Sequence, residues 1–319
     1  MPYGMRGHIG IARETAWGTG VAAVDFLEAL SESLITTIDR FDVRNIVGRF
    51  TEGDDMDGVR RHAGDLVFPA HPTIAGHFLR GVLGQQSLTI LNSSYFRYNW
   101  GFLTADTGSL HPLPSFTLEV FRPGANVVNS AFRYAGVQVG SVEMSVAPNQ
   151  DVRMTARLIA RSRSIITATT PTFPASPVNF FAFDTASLSI AGAAVDRIES
   201  FRLNLDNQIE GVPTLNNDTE ISRVRRTGPA IARVSGTVGF DSFADFDDFR
   251  QQTERQVIAT FTRANSFLLS VDLPRAVFDA FPIQLAGRGR VTVDFSMIGR
   301  YHVGSLHSVL ATMTTTNTF

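Results

Sequence analysis

Val152–Ile159 reads VRMTARLI, and Val291–Ile298 reads VTVDFSMI. In the first, Val152, Met154, Ala156 and Leu158 fall on every second position. In the second, Val291, Val293, Phe295 and Met297 do the same. Apolar residues with a period of two describe strands with one buried side. Each run follows a turn signal: Pro148-Asn149-Gln150-Asp151 in one case, Gly287-Arg288-Gly289 in the other. Each turn is preceded by another alternating run, SVEMSVA or FPIQLA, so each strand is expected as the second arm of a hairpin. The fold class is therefore mainly β.

Two helices are expected. Thr73–Gly84 (TIAGHFLRGVLG) has Thr73 as its N-cap and Gly84 as its stop, with Ile74, Phe78 and Val82 at helical spacing. Ser242–Gln252 (SFADFDDFRQQ) has Ser242 as cap, Asp245 at the reciprocal capping position, and Phe243, Phe246 and Phe249 on one side for core packing.

The order of elements occurs twice. Glu32-Ser33 opens ESLITTIDR and Glu199-Ser200 opens ESFRLNLDN, which sets Leu34 opposite Phe201 and Ile38 opposite Leu205. A polar acidic loop follows in each, RFTEGDDMDG or TLNNDTEIS. Val59-Arg60-Arg61 or Val224-Arg225-Arg226 comes next, then a strand, the helix and the closing hairpin. The hairpins end ARLIAR (Ala156–Arg161) and FSMIGR (Phe295–Arg300), and an insertion in the first copy around Asn92–Leu113 accounts for the drift in spacing. Two tandem domains are expected, 1–166 and 178–319, with the Thr- and Pro-rich stretch Thr167–Pro177 as the linker. One large domain with an ordinary loop there is the alternative.

Composition excludes several classes. The net charge of −2 provides no global field for nucleic acid or acidic membrane. The chain has no cysteine, so it forms no disulfide, thiolate metal site or cysteine nucleophile. All 28 basic residues are arginine, as a GC-rich genome would give. No apolar run is long enough for a transmembrane helix. The first residues lack a signal-peptide pattern, so a cytoplasmic start is expected. No Walker-A loop, dinucleotide glycine motif or nucleophile elbow is present, and His71 and His77 lack common zinc spacing. No enzyme, metal or cofactor is expected.

The opening GHIGIARETAWGTGVAAVDFLEALSESL (Gly7–Leu34) resembles that of phage tail tube proteins. Gly7 to Gly10, Glu14-Thr15, Trp17-Gly18-Thr19 and the apolar-acidic run Asp25–Leu34 carry the resemblance. Gly20 stands where a proline is expected. The resemblance implies β-sandwich or partial-barrel domains, each with a flanking helix. It also implies stacked rings of six domains, here three duplicated chains per ring, conducting DNA. Six domains of four strands make an inner barrel of about 24 strands, with a lumen roughly 40 Å across and a duplex of about 20 Å inside it.

Implied partners are other copies of the chain, tape-measure, tail-tip and tail-terminator proteins, and DNA in transit, with no membrane. The implied location is the virion tail, assembled in the host cytoplasm. Because a basic wall would hold DNA, Glu52, Asp54, Asp55, Asp57, Asp218 and Glu220 are candidates for the lumen or for stacking loops. Arg60, Arg61, Arg225 and Arg226 are candidates for pairing with carboxylates across subunits or within one. The alternatives are an outer-membrane β-barrel, suggested by alternating strands, aromatics and the terminal Phe319, or the inner tube of a contractile injection machine.

Overall fold

The structure, a computed structural model, describes residues 4–42, 55–104, 113–123, 130–173, 180–216, 218–241, 243–263, 266–283 and 290–319. The first stretch of chain gives β1 (His8–Arg13), β2 (Asp25–Leu27), β3 (Ser31–Glu32), β4 (Ile35–Asp42), β5 (Asp55–Pro69), α1 (Ala75–Leu83), β6 (Gly84–Ile90), β7 (Phe96–Phe102), β8 (Phe116–Phe121), β9 (Ser130–Val146), β10 (Arg153–Ala160) and β11 (Ser162–Thr167). The remainder gives β12 (Ala186–Ile190), β13 (Ala193–Ala194), β14 (Ile198–Asp206), β15 (Ile209–Val212), β16 (Arg223–Arg226), β17 (Ile231–Gly239), α2 (Ala244–Gln251), β18 (Arg255–Arg263), β19 (Phe267–Ala280), β20 (Thr292–Gly299) and β21 (Leu310–Thr315). The protein is mainly β, as its alternating runs require.

The antiparallel pairings trace two paths. One runs β2-β1-β8-β9-β10-β5-β4. The other runs β13-β12-β18-β19-β20-β17-β14. Two of the three irregularities in each path fall at matching places; the β4·β5 shift between Ile38 and Arg40 and the β14·β17 shift between Ile198 and Ser200 do not correspond. The β8·β9 register shifts between Phe116 and Leu118, and the β18·β19 register between Arg255 and Val257. The β9·β10 pairs skip Gly140, and the β19·β20 pairs skip Asp279. β11 lies along the start of β9, and β21 along the start of β19.

One strand pairing joins the paths, β14 with β9, while β21, which lies along β19, also pairs with β7 of the β6–β7 hairpin. The result is a continuous eight-strand run, β4-β5-β10-β9-β14-β17-β20-β19. Among the described residues no pairing closes it into a barrel. Phe68, Met154, Met144, Leu203, Val234, Met297 and Phe278 lie opposite one another across seven of these strands, and all are buried. Burying each contributes about 1.5–3 kcal/mol, so this row fixes register as well as stability: a one-residue slip would turn a strand's apolar set to solvent.

All nine residues of α1 are buried. A Cβ on Gly76 would overlap the Phe319 ring, which explains a glycine inside a helix. Gly84, at φ 81°, ends the helix as expected. Thr73 does not cap it; its hydroxyl bonds His71 Nδ1, and Ile74 holds the N-cap position without a side-chain bond. The helix instead rests on tertiary packing. In α2, Asp245 pairs with Arg197, and Ser242, its expected capping partner, lies outside the described residues. The expected core packing of its phenylalanines holds in part: no α2 residue is fully buried, Phe246 and Phe249 pack partly buried against the core, and neighbouring Phe243 is 65% exposed. The cause is local. The β6–β7 hairpin follows α1 and packs on it, whereas α2 leads directly into β18.

The turn at Pro148–Asp151 joins β9 to β10, with Asn149 at φ 62°. FPIQLA is not the first arm of the second hairpin: β19 is, and it ends at Ala280. The turn 287–289 lies outside the described residues, as do 174–177 of the expected linker. The described part of that linker is anchored, because the Thr169 N–H and hydroxyl both donate to buried Glu119.

Candidate assembly surface

The eight-strand run has one apolar face and one polar face. The polar face carries Asp65, Arg153, Arg157, Glu143, Arg202, Asn204, Arg233 and Asp294, at the strand positions that alternate with the buried ones. Three of its four arginines lie against carboxylates, Arg153 being 3.5 Å from Asp151, and so does neighbouring Arg61. Arg61 Nε donates to Asp39 at 2.9 Å, Arg202 lies 3.3 Å from Glu143 across the β9·β14 joint, and Arg233 lies 3.3 Å from Asp279. Being part-exposed, each pair contributes at most about 1 kcal/mol to stability. Each pair also neutralises the charge of a guanidinium group on this face.

The run ends in open strands. Among the described residues β4 pairs only with β5, and Ile35, Ile38 and Phe41 along it are exposed, as is Met56 opposite Phe41. An unpaired edge strand displaying apolar side chains is a template for another strand. At the far end, β9 continues to Val146 beside β14, while its counterpart β19 stops at Ala280.

The acidic candidates cluster away from this face. Glu52 and Asp54 lie outside the described residues. Asp55 and Asp57 begin β5, and Asp57 lies 3.6 Å from Arg40. Asp218 and Glu220 lie in the connection between β15 and β16, where Asp218 accepts the Glu220 N–H. The structure brings the two acidic arms together. Arg60 N–H donates to the Thr219 carbonyl at 2.8 Å, and His62 Nε2 meets Glu220 at 2.7 Å.

The arginine candidates are mostly engaged within the chain. Arg60 lies 4.0 Å from Asp57, Arg61 bonds Asp39, and Arg226 donates to the Leu103 carbonyl and to Asn207. Arg225 is exposed, opposite Glu210. The two Val-Arg-Arg tripeptides are not alike: Val59 sits in the long strand β5, whereas Val224 is buried in the separate two-stranded β15–β16 sheet.

Sequence reasoning missed two positioning devices. Arg122 clasps Glu32 at 2.6 and 2.7 Å and donates to the Leu34 carbonyl, fixing the approach to β4. Hydrogen bonding to Glu32 raises its pKa further above neutrality. Glu14 is buried and accepts from Gly18 N–H, Thr117 hydroxyl and Gly136 N–H at 2.8–2.9 Å, while Arg161 covers the Trp17 ring. The residues Glu14, Trp17 and Gly18 thus form one knot. No group of three metal-ligating side chains exists among the described residues, and no helix there is long and apolar enough to cross a membrane.

The model of one protein family, described as phage tail tube protein, matches residues 4–295. No curated protein matches the chain.

Proposed function

We propose, because the chain belongs to the phage tail tube protein family, that it is the major subunit of a tube built from stacked three-chain rings. It is a structural protein of the virion tail; ring geometry and DNA passage are our inference. The observation that carries the inference is the pair of matching strand paths, which share order, direction and skipped residues. They support two tandem copies of one domain, 1–166 and 178–319, with the β6–β7 hairpin as the extra segment of the first.

The β9·β14 joint then serves as the template for closure. The free end of β19 takes the role of β9, and β4 of the next copy takes the role of β14. Three copies of the eight-strand run supply about 24 strands, enough for a lumen that admits a duplex. The polar face lines it, with Arg153, Arg202 and Arg233 already matched by carboxylates, so DNA slides without being held. Tape-measure, tip and terminator proteins are the expected partners at the tube's core and ends.

Electron microscopy of purified protein tests this. Stacked rings of three chains are expected; rings of six full-length chains contradict the duplicated architecture.

A further inference from the structure

The strand registers align more than the sheet. Gly140 and Asp279 are the skipped residues of β9 and β19, so each β9 residue has its counterpart 139 positions on. Phe116 and Leu118 of β8 match Arg255 and Val257 of β18 at the same spacing. Ser130 of β9 lies opposite Thr167, and its counterpart Leu269 lies opposite Met313. Carried two residues on from Thr167 and Met313, the register sets Thr169–Phe173, TTPTF, against Thr315–Phe319, TTNTF. The alignment came from backbone pairing alone, yet only the middle residue of the five differs. Phe173 is the counterpart of Phe319.

Their surroundings differ sharply. Phe319 is 8% exposed and seated on α1, against Gly76 and among His77, Tyr98 and Trp100 at centroid distances of 4.9, 5.3 and 5.9 Å. Asn317 fastens the same segment by donating to the Thr73 carbonyl at 2.8 Å. This is a contact between the two halves: the segment after β21 holds the helix of the first. Phe173 is 41% exposed, with Phe26 at 6.5 Å as its ring neighbour. The helix of the second half, α2, has no buried residue. It carries its own aromatics, Phe246 and Phe249, with Phe243 just before it, where α1 borrows Tyr98 and Trp100 from β7.

We propose that Phe173 seats on α2 of the neighbouring copy, repeating between chains the clasp that Phe319 makes on α1 within one. The proposal rests on the three-chain ring: the half following the second half of one chain is the first half of the next. It assigns one occupant, a second copy of this chain, to two surfaces the single chain leaves part-exposed: Phe173, and the side of α2 where Phe243 is exposed beside the partly buried Phe246 and Phe249. Pro171, in place of Asn317, lacks the side-chain donor, so aromatic contact carries the clasp between chains.

Three variants test it. Phe319→Ala is expected to lower the melting temperature of the isolated chain. Phe173→Ala is expected to leave that temperature unchanged and to raise the concentration needed for tube assembly at least about tenfold, as for an interface anchor. In the cysteine-free background, Phe173→Cys with Phe246→Cys is expected to cross-link different chains within tubes. Assembly of Phe173→Ala at the wild-type concentration overturns the proposal, as does a cross-link confined to single chains or a melting loss equal to that of Phe319→Ala. A wild-type protein that forms no rings refutes the ring itself, and the clasp with it.

Discussion

An Ile38→Pro chain is expected to fold and to form no tubes. Along β5 the Arg60 N–H points to Thr219, away from β4, so by alternation Arg61 and Ala63 face β4. Their partners Thr37 and Ile35 return those bonds, which leaves the Ile38 N–H directed at the open edge. Through β5 and β17, Ile38 is the counterpart of Asn207, whose N–H donates to the Gly140 carbonyl at the internal joint. Proline removes the donor and sets its ring into the joint at each junction of the ring. Edge strands and bulges tolerate proline, and the β4·β5 register already shifts just beyond Ile38. Circular dichroism should show a wild-type fold, and electron microscopy no tubes; Ile38→Val should assemble. Normal tubes from Ile38→Pro would remove β4 from the assembly contact.

Glu14→Ala is expected to cost about 3–5 kcal/mol, because a buried donor left unpaired costs about 1–3 kcal/mol and Glu14 serves three. It would release the turn around Gly18, at φ 78°, from both β8 and β9, and loosen Trp17 beneath Arg161. Denaturant unfolding checks this; a loss below about 1 kcal/mol would show that water replaces the carboxylate.

Much of the architecture was legible because period-two burial is a local signal. VRMTARLI and VTVDFSMI fall on β10 and β20, with Met154, Ala156 and Leu158, and Val293, Phe295 and Met297, buried as their spacing demands. Register was less legible. The Glu-Ser alignment sets Leu34 against Phe201, whereas strand pairing sets it against Leu203. A slip of two residues keeps every side chain on its own face, so alternation cannot detect it. Thr73 misled because His71, two residues before it, competes for its hydroxyl. The phenylalanines of α2 carry a core pattern that is only half used: Phe246 and Phe249 pack partly buried on the core while Phe243 stays exposed, since how far a helix is buried is set by the segment that follows it. Least legible was the assembly surface. Arg202 and Glu143 are distant in sequence and meet only because β9 and β14 join, while the conspicuous acidic loops drew attention to the arms.

The central claim is that the internal joint is repeated between chains. Its register transfers to β19 and β4 as Ala280 opposite Thr37 of the next copy, following Ser141 opposite Asp206. Opposed Cβ atoms lie about 4.5–5.5 Å apart, close enough for a disulfide after slight adjustment. With no native cysteine to interfere, tubes of the Thr37→Cys, Ala280→Cys chain can be oxidised and then dissolved in denaturant without reductant. Covalent species ending at three chains are predicted, with none from an Asp39→Cys, Ala280→Cys control two residues out of register. Well-formed tubes that yield single chains, or a series ending at six, would contradict the account.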